Sequence, residues 1–130
     1  MSEPIDATIR IVQVDSEYWQ FRAQNAQGQV MASVSLRCLS ECPCVGVIFH
    51  LATLEQYRRR GLAERLEREL ESFARQKSIG LLISTVRIGN HPCRLMKEKL
   101  GYYADCQWLN PRTDHDLVLY RKVLSLSVDS

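Results

Sequence analysis

Three consecutive arginines stand at a point where the hydrophobic pattern of the chain changes. Arg58, Arg59 and Arg60 follow an almost continuously apolar run, VGVIFHLATL, and they directly precede Gly61 and a leucine-periodic helical segment. A strand that turns into a helix exposes backbone N–H groups, and the helix dipole adds about half a positive charge there. Glycine lets the backbone approach a ligand closely. The pattern predicts a pyrophosphate site at this turn; the alternative is a solvated charged turn.

The segment around this turn resembles a known family. Arg58-x-x-Gly61-x-Ala63 matches the R/Q-x-x-G-x-G/A signature of the GNAT superfamily of acyl-CoA-dependent N-acyltransferases. The run LATLEQYR before it is similar to the family's L-A-V-x-P-E-Y-R, with Glu55 in place of the usual proline.

A second segment strengthens the resemblance. NHPCRLMKEKLGY, which begins at Asn90, is similar to the family's N-x-x-A-x-x-L-Y-x-K-x-G-F, with Cys93 at the alanine and Tyr102 at the phenylalanine. Pro92 suits the first turn of a helix and Gly101 suits its end. The resemblance covers about residues 45–109, and the first forty residues match only in strand order.

The resemblance implies a cofactor site. The strand that ends at Thr53 is expected to splay from its parallel neighbour, with the acyl-pantetheine arm in the gap and the pyrophosphate on the amides that follow. One arginine would reach the 3′-phosphate of acetyl-CoA, and Asn90 would contact the pantetheine. The expected cofactor-binding residues are Leu51, Ala52, Thr53, Arg58, Arg59, Arg60, Gly61, Leu62, Ala63, Glu64 and Asn90.

The resemblance also implies transfer of an acetyl group to an amine by direct attack in a ternary complex, but the usual proton carriers are missing. Phe49 and Val47 occupy the positions of the family's strand bases, and strand alternation predicts His50 on the opposite face. Lys97 occupies the position of the usual tyrosine acid, and Tyr102 or Tyr103 could substitute for that tyrosine. Lys97 and Tyr102 are therefore the candidate catalytic residues; the alternatives are an ordinary exposed helix lysine and a core tyrosine.

The acceptor side is expected to be open. Only a short turn at Asp15-Ser16-Glu17 separates the first two predicted strands, where many family members insert two helices. An open side favours a macromolecular amine acceptor, such as a protein lysine, a protein N-terminus or a nucleic acid, or completion by a second copy in a homodimer. The rival hypotheses are an acyl-CoA-binding protein without catalysis and a nucleic-acid-directed member of the fold.

The order of elements predicts the fold class. The length of 130 residues favours one domain over residues 1–130. Strands are predicted over residues 7–14, 18–25, 29–36, 45–54, 81–86, 102–109 and 116–124, and helices over 61–77 and about 92–100. The first helix carries predicted charge pairs at Glu64–Arg68, Arg65–Glu69 and Glu71–Arg75. The order predicts an α/β (α+β) domain with a mixed, mostly antiparallel sheet, a central parallel strand pair and two crossover helices.

Composition limits the remaining classes. A net charge of +2 is too small to indicate bulk binding of nucleic acid or membrane. No run approaches ~18 apolar residues, so no membrane span is predicted. An odd count of five cysteines and a polar N-terminus indicate reduced thiols in the cytoplasm. Cys38, Cys42 and Cys44 are spaced too irregularly for structural zinc, so no metal site is predicted and a zinc module is the alternative.

Overall fold

A computed structural model describes residues 5–124 of the chain. The strands are β1 (Thr8–Asp15), β2 (Tyr18–Gln24), β3 (Val30–Cys38), β4 (Val45–Thr53), β5 (Leu81–Arg87), β6 (Tyr103–Asn110) and β7 (His115–Val123). The helices are α1 (Leu62–Gln76) and α2 (His91–Lys99), and a short 3-10 turn spans Glu55–Tyr57 between β4 and α1.

The strands form one seven-stranded sheet in the order β1-β2-β3-β4-β5-β7-β6. Every neighbouring pair is antiparallel except β4 and β5, which run parallel across the α1 crossover. The predicted fold class, the element order and the β2–β3 hairpin are confirmed. β3 runs two residues beyond its predicted end because Cys38 still pairs with Gly46 of β4.

Both helices pack on the same face of the sheet. One row of cross-strand partners on this face consists of Trp19, Leu36, Ile48, Ser84 and Tyr120, all of them buried. Phe73 of α1 packs edge-on against the Trp19 ring, and Tyr120 exchanges hydrogen bonds with Arg94 and Glu98 of α2. This face therefore holds the hydrophobic core.

α1 forms where the leucine spacing predicted it. Leu62, Leu66, Leu70 and Ala74 are buried toward the sheet. The predicted Glu64–Arg68 and Glu71–Arg75 ion pairs are present on its outer side. The third predicted pair was wrong, because the Arg65 guanidinium donates to the carbonyl oxygens of Ile5 and Ala7 at 3.2 Å and ties the N-terminal segment to α1.

The opposite face of the sheet carries no helix among the described residues. The β1–β2 turn contains only Ser16 and Glu17, and the Glu17 N–H group donates to the Asp15 carboxylate. The predicted absence of helices between the first two strands is therefore confirmed. Within residues 5–124, neither helix is long and apolar enough to cross a membrane.

Candidate functional site

The two parallel strands part in the middle of the sheet. β4 and β5 pair from Val45–Leu81 to Ile48–Ser84, and the ladder ends there. β4 then continues beside β3 as far as Thr53, while β5 continues beside β7 as far as Arg87. The predicted splay is confirmed, and it leaves the edge of β4 beyond Ile48 without a strand partner on the β5 side.

A β-bulge shapes this free edge. Ser33 and Ser35 of β3, two residues apart, pair with Ala52 and Phe49 of β4, three residues apart. The extra residue falls beside His50, which has a left-handed φ of 54° and an exposed side chain. A bulge bends the strand and interrupts alternation. The regular alternation predicted for His50 was therefore wrong, and its ring lies 4.8 Å from that of Phe49.

The arginine turn directs backbone amides outward from the start of α1. Arg59 and Gly61 both adopt left-handed conformations, with φ values of 64° and 77°. The first intrahelical bond runs from Arg65 N–H to the Gly61 carbonyl, and no side chain caps the helix start. Within the described residues, the N–H groups of residues 59–64 donate to no protein acceptor. The turn thus presents a row of free donors at the positive end of α1.

Gly61 keeps this row of donors accessible. A Cβ atom at Gly61 would meet no atom within 4 Å, so the space beside this residue is open. Its positive φ is one that residues with side chains rarely adopt. Glycine here satisfies the turn conformation and leaves room for a ligand to reach the backbone.

The three arginines surround the turn without acidic partners. All three are exposed, and the ion pairs of the described residues include none of them. Arg58 Nε donates to the Thr53 carbonyl oxygen at 3.1 Å, which fastens the turn to the end of β4. Arg59 and Arg60 are therefore the two whose guanidinium groups stay available for an anion.

Glu64 places a carboxylate in the first turn of α1, where it could oppose an anionic ligand. Two cations compensate this negative charge. Lys99 Nζ lies 2.9 Å from Glu64 Oε1, and the Arg68 guanidinium lies 3.2 Å from Glu64 Oε2. The Lys99 contact is the main cause that lowers the pKa of Glu64 below its ordinary value. The Lys99–Glu64 pair also joins the end of α2 to the start of α1.

Asn90 lies at the start of α2, beyond the end of β5. Its Oδ1 atom accepts a hydrogen bond from the Cys93 N–H group at 3.3 Å and caps the helix. This bond fixes the orientation of the side-chain amide, whose Nδ2 group donates to no acceptor among the described residues. Asn90 is exposed and can offer that donor to a ligand.

Lys97 is not the exposed helix lysine that the alternative interpretation expected. Its side chain is buried between α2 and α1, and its Nζ atom lies 2.7 Å from Glu67 Oε1. The other Glu67 oxygen, Oε2, is buried without a hydrogen-bond partner in the described structure. Sequence analysis missed Glu67; the only signal for it was a carboxylate beside Leu66, on the edge of the apolar stripe of α1.

Tyr102 is buried beside this ion pair. The Lys97 Nζ atom lies 4.7 Å from the centroid of the Tyr102 ring, within the range of a cation–π contact. Burial, with smaller contributions from the carboxylates of Glu67 and Glu71, raises the pKa of the Tyr102 hydroxyl. Tyr103, the next residue, is 69% exposed on the edge strand β6.

Cys93 lies on α2 close to the Lys97–Glu67 pair. Burial is the main cause that raises the pKa of the Cys93 thiol. The charge of Lys97 lowers this pKa and the charge of Glu67 raises it, both by smaller amounts. A half-buried, protonated thiol is a packing group rather than a nucleophile.

The predicted site residues fall into two groups in space. The Arg58–Thr53 contact joins the end of β4 to the turn, and the Lys97–Tyr102 contact lies between the helices. The surface of the described residues also has two shallow depressions. One of about 250 Å³ is lined by Ile9 and the outer side of α1, and one of about 150 Å³ by the β3 and β4 segments that include Ala52 and Thr53.

The cysteines form no metal centre in the described part of the chain, where no three metal-ligating side chains converge. All five thiols are free. Cys42 and Cys44 lie closest to each other, with 3.3 Å between their sulfur atoms, on the exposed β3–β4 loop.

Comparisons with known proteins agree with this architecture. The acetyltransferase (GNAT) family model matches residues 3–102, so the match extends over the first three strands, where the sequence showed no motif. No curated protein sequence matches the chain.

Three solved structures illustrate the shared fold. The ribosomal-protein-S18-alanine N-acetyltransferase from Escherichia coli is 18% identical, with a TM-score of 0.76, and the match covers 89% of this chain and 75% of that chain. IAA acetyltransferase from Bacillus cereus is 12% identical, with coverage of 92% and 100% and a TM-score of 0.80. NAA60 from Arabidopsis thaliana, solved with a bisubstrate analogue, is 15% identical, with coverage of 86% and 78% and a TM-score of 0.73.

The identities to these structures are low, so each of them speaks for the fold alone. The family model, in contrast, matches well over half of the chain and includes both the arginine turn and the second helix. The chain therefore belongs to the GNAT acetyltransferase family.

Proposed function

We propose that the protein transfers an acetyl group from acetyl-CoA to an amine acceptor by direct attack within a ternary complex. The observation that carries this proposal is the continuity of the free β4 edge, from Ile48 to Thr53, with the amide-lined turn that starts α1. An extended pantetheine arm can pair with the strand edge, and a pyrophosphate can accept hydrogen bonds from the turn.

The donor groups of this chain match that ligand. A pyrophosphate needs several N–H donors and positive charge, and residues 59–64 supply free amides at the start of a fifteen-residue helix. Arg59 and Arg60 supply the guanidinium groups for a further phosphate, and Asn90 Nδ2 faces outward for an amide carbonyl. Leu51, Ala52 and Thr53 would contribute main-chain groups only, so this pairing places no demand on their side chains.

Positioning would supply most of the rate enhancement. Holding an amine and a thioester together in reactive geometry can contribute up to about 7–11 kcal/mol. A main-chain N–H group on the bulged part of β4 can polarise the thioester carbonyl. Phe49 and Val47 cannot accept a proton, so the proton of the acceptor ammonium would pass to water or to another group near the gap.

Lys97 remains the candidate donor of a proton to the leaving thiolate. Its ammonium group is held between the Glu67 carboxylate and the Tyr102 ring, so both residues position it. Tyr102 itself is a poor candidate for the acid, because its raised pKa makes the hydroxyl a weaker proton donor. The rival hypothesis, an acyl-CoA-binding protein without catalysis, is favoured by the same ion pair, which ties Lys97 away from solvent.

The acceptor is proposed to be macromolecular. The short β1–β2 turn leaves the acceptor side without the helices that would enclose a small amine. One of the structurally similar proteins, the ribosomal-protein-S18-alanine N-acetyltransferase, is named for a protein acceptor, which supports a protein amine as the first acceptor to test. The predicted cytoplasmic location stays a prediction, supported by five free thiols.

The deciding experiment measures binding and turnover separately. Calorimetry with acetyl-CoA tests the cofactor site, and release of free CoA thiol with a panel of amines and peptides tests transfer. Tight binding with thiol release that depends on an amine supports the transferase. Binding without amine-dependent release would establish the non-catalytic alternative, and absence of binding would refute both.

A further inference from the structure

The face of the sheet opposite the helices is an extended uncovered surface. A row of cross-strand partners on this face runs over six strands as Tyr18, Arg37, Val47, Ile83, Arg121 and Tyr103. At about 4.8 Å per strand this row is about 24 Å wide. None of its six side chains is fully buried, and no described helix packs on it.

The centre of this surface is apolar and its borders are aromatic. Val47 and Ile83 occupy the middle, with Phe49 and Leu119 in the next row, and all four are half-buried. Tyr103 is 69% exposed and Trp108 39% exposed at the β6 edge. An apolar centre with tyrosine, tryptophan and arginine around it is the composition of a protein–protein contact rather than of a solvated surface.

Arginine provides almost all of the charge on this surface. Arg10, Arg22, Arg37, Arg87 and Arg121 all project from this face by the strand registers. Asp105 pairs with Arg121, and Asp15 at the β1–β2 turn accepts the Glu17 N–H group. The other four arginines appear in none of the ion pairs of the described residues.

Two of the arginines oppose each other directly. Arg10 of β1 and Arg22 of β2 are cross-strand partners, and like charges in that position destabilise a sheet. Arg37 stacks on the Tyr18 ring at 4.6 Å, which leaves its charge facing outward. Arg22 donates to the neutral Gln20 side chain, and neither opposed arginine has an acidic partner within the described residues, so this part of the surface is suited to bind an anion.

We propose that this surface docks a polypeptide segment that combines acidic and apolar side chains. Its apolar side chains would cover Val47, Ile83 and Leu119, and its carboxylates would meet Arg37, Arg87 and the neighbouring arginines. A second copy of this chain is disfavoured, because face-to-face association would oppose arginine to arginine. Nucleic acid is disfavoured because the aliphatic side chains of Val47, Ile83 and Leu119 at the centre can neither pair with phosphates nor stack on bases.

The position of the surface connects it to the acceptor. Phe49 lies on this face at the point where β4 and β5 part, so a docked segment passes beside the gap. If that segment carries the reactive amine, the acceptor class is an acidic protein sequence; this extension rests on the proposed function. The docking itself does not rest on the proposed function, and it requires no acetyl-CoA.

The test selects ligands with the full-length protein and no cofactor. A random peptide library displayed on phage is selected on the immobilised protein, and enriched peptides are synthesised for calorimetry. Enriched peptides should contain Asp or Glu together with Leu, Ile or Phe. The double variant Arg37→Gln/Arg87→Gln should weaken their binding about tenfold, as expected for the loss of two partly exposed charge contacts.

The matched control removes two arginines from the outer side of α1. Arg68→Gln/Arg75→Gln changes the net charge equally and should leave the affinity unchanged. The proposal would be overturned if no acidic peptides were enriched, or if both double variants weakened peptide binding equally. It would also be overturned if an oligothymidylate bound more tightly than the peptides, or if sedimentation showed a dimer that Arg37→Gln stabilises. Because the assay omits acetyl-CoA, failure of the cofactor site would leave its result unchanged.

Discussion

The ammonium group of Lys97 lies 2.7 Å from Glu67 Oε1, and the two side chains are only 2% and 1% exposed. One partner comes from each helix, so this ion pair fixes the contact between α1 and α2. Removing two charges from water is unfavourable, and the attraction between them largely offsets that cost only while both are present. The second Glu67 oxygen has no hydrogen-bond partner in the described structure, so part of the cost of burying this carboxylate is not offset.

Removal of one partner should therefore destabilise the fold more than removal of both. We expect Lys97→Met or Glu67→Leu alone to lower the free energy of unfolding by about 3–5 kcal/mol, because each leaves a buried charge uncompensated. The double variant Lys97→Met/Glu67→Leu should return to within about 1 kcal/mol of the unsubstituted protein. Urea denaturation measures all three.

The exposed lysine of the same helix provides the control for this cycle. Lys99 is 66% exposed in its pair with Glu64, so Lys99→Met should change the free energy of unfolding by less than about 1 kcal/mol. If the losses of Lys97→Met and Glu67→Leu simply add in the double variant, the two side chains do not act as a pair.

The arginine turn gives a second prediction, based on Gly61. Gly61→Glu would place a carboxylate in the open space before the free amides, so acetyl-CoA binding should be lost while the fold is retained. Calorimetry measures the binding and circular dichroism the fold. The left-handed φ of 77° adds strain of about 1–2 kcal/mol, which has to be separated from the effect on the ligand.

Gly28 supplies a control with the same strain and the same added charge. It has a φ of 82° and likewise no atom within 4 Å of an added Cβ, but it lies in the β2–β3 turn. Gly28→Glu should lose comparable stability and keep its affinity for acetyl-CoA. Unchanged affinity in Gly61→Glu would remove the pyrophosphate from the turn.

A third prediction separates the roles of the three arginines. CoA and 3′-dephospho-CoA differ by one phosphate, so the arginine that binds this phosphate should discriminate between them when substituted. We expect Arg59→Gln or Arg60→Gln to weaken CoA binding about tenfold, the effect of losing a charge-assisted hydrogen bond, and to leave dephospho-CoA binding unchanged. Arg58→Gln should weaken both ligands alike, because Arg58 holds the Thr53 carbonyl.

One outcome of the same calorimetric series would contradict this assignment of the 3′-phosphate. If all three substitutions weaken CoA and dephospho-CoA by equal factors, the 3′-phosphate is bound elsewhere. The arginines would then act only through the general positive potential of the turn, and their effects should fade together as salt is raised.

Regular hydrophobic patterns account for what the sequence could predict. The leucine spacing of α1 and the apolar run of β4 each follow from one dominant period, so both elements and their parallel crossover were predicted correctly. The motif around Arg58 and Gly61 located the turn because glycine and charge are local signals. These features need no knowledge of distant residues.

The parts that could not be predicted depend on contacts between distant residues. The bulge at His50 arises from the register between β3 and β4, which strand alternation alone does not reveal. Lys97 and Glu67 are thirty residues apart in sequence, so no local pattern predicted that they would pair. The arginines of the uncovered face come from five different strands, and only the sheet order places them on one surface.

The final prediction concerns the response to alkaline pH. Burial raises the pKa of Tyr102 above the ordinary value of 10.0, so the folded state favours the protonated hydroxyl. That stabilisation is complete below the unfolded pKa and is lost as the pH rises from there toward the folded pKa, by about 1.4 kcal/mol per pH unit. Tyr102→Phe cannot ionise and retains the ring over Lys97. Its free energy of unfolding should therefore fall less steeply above about pH 10, as measured by urea denaturation.

Tyr103→Phe, at the exposed neighbouring residue, should follow the unsubstituted protein. If Tyr102→Phe follows it as well, the Tyr102 hydroxyl is not held in a buried, protonated state beside Glu67.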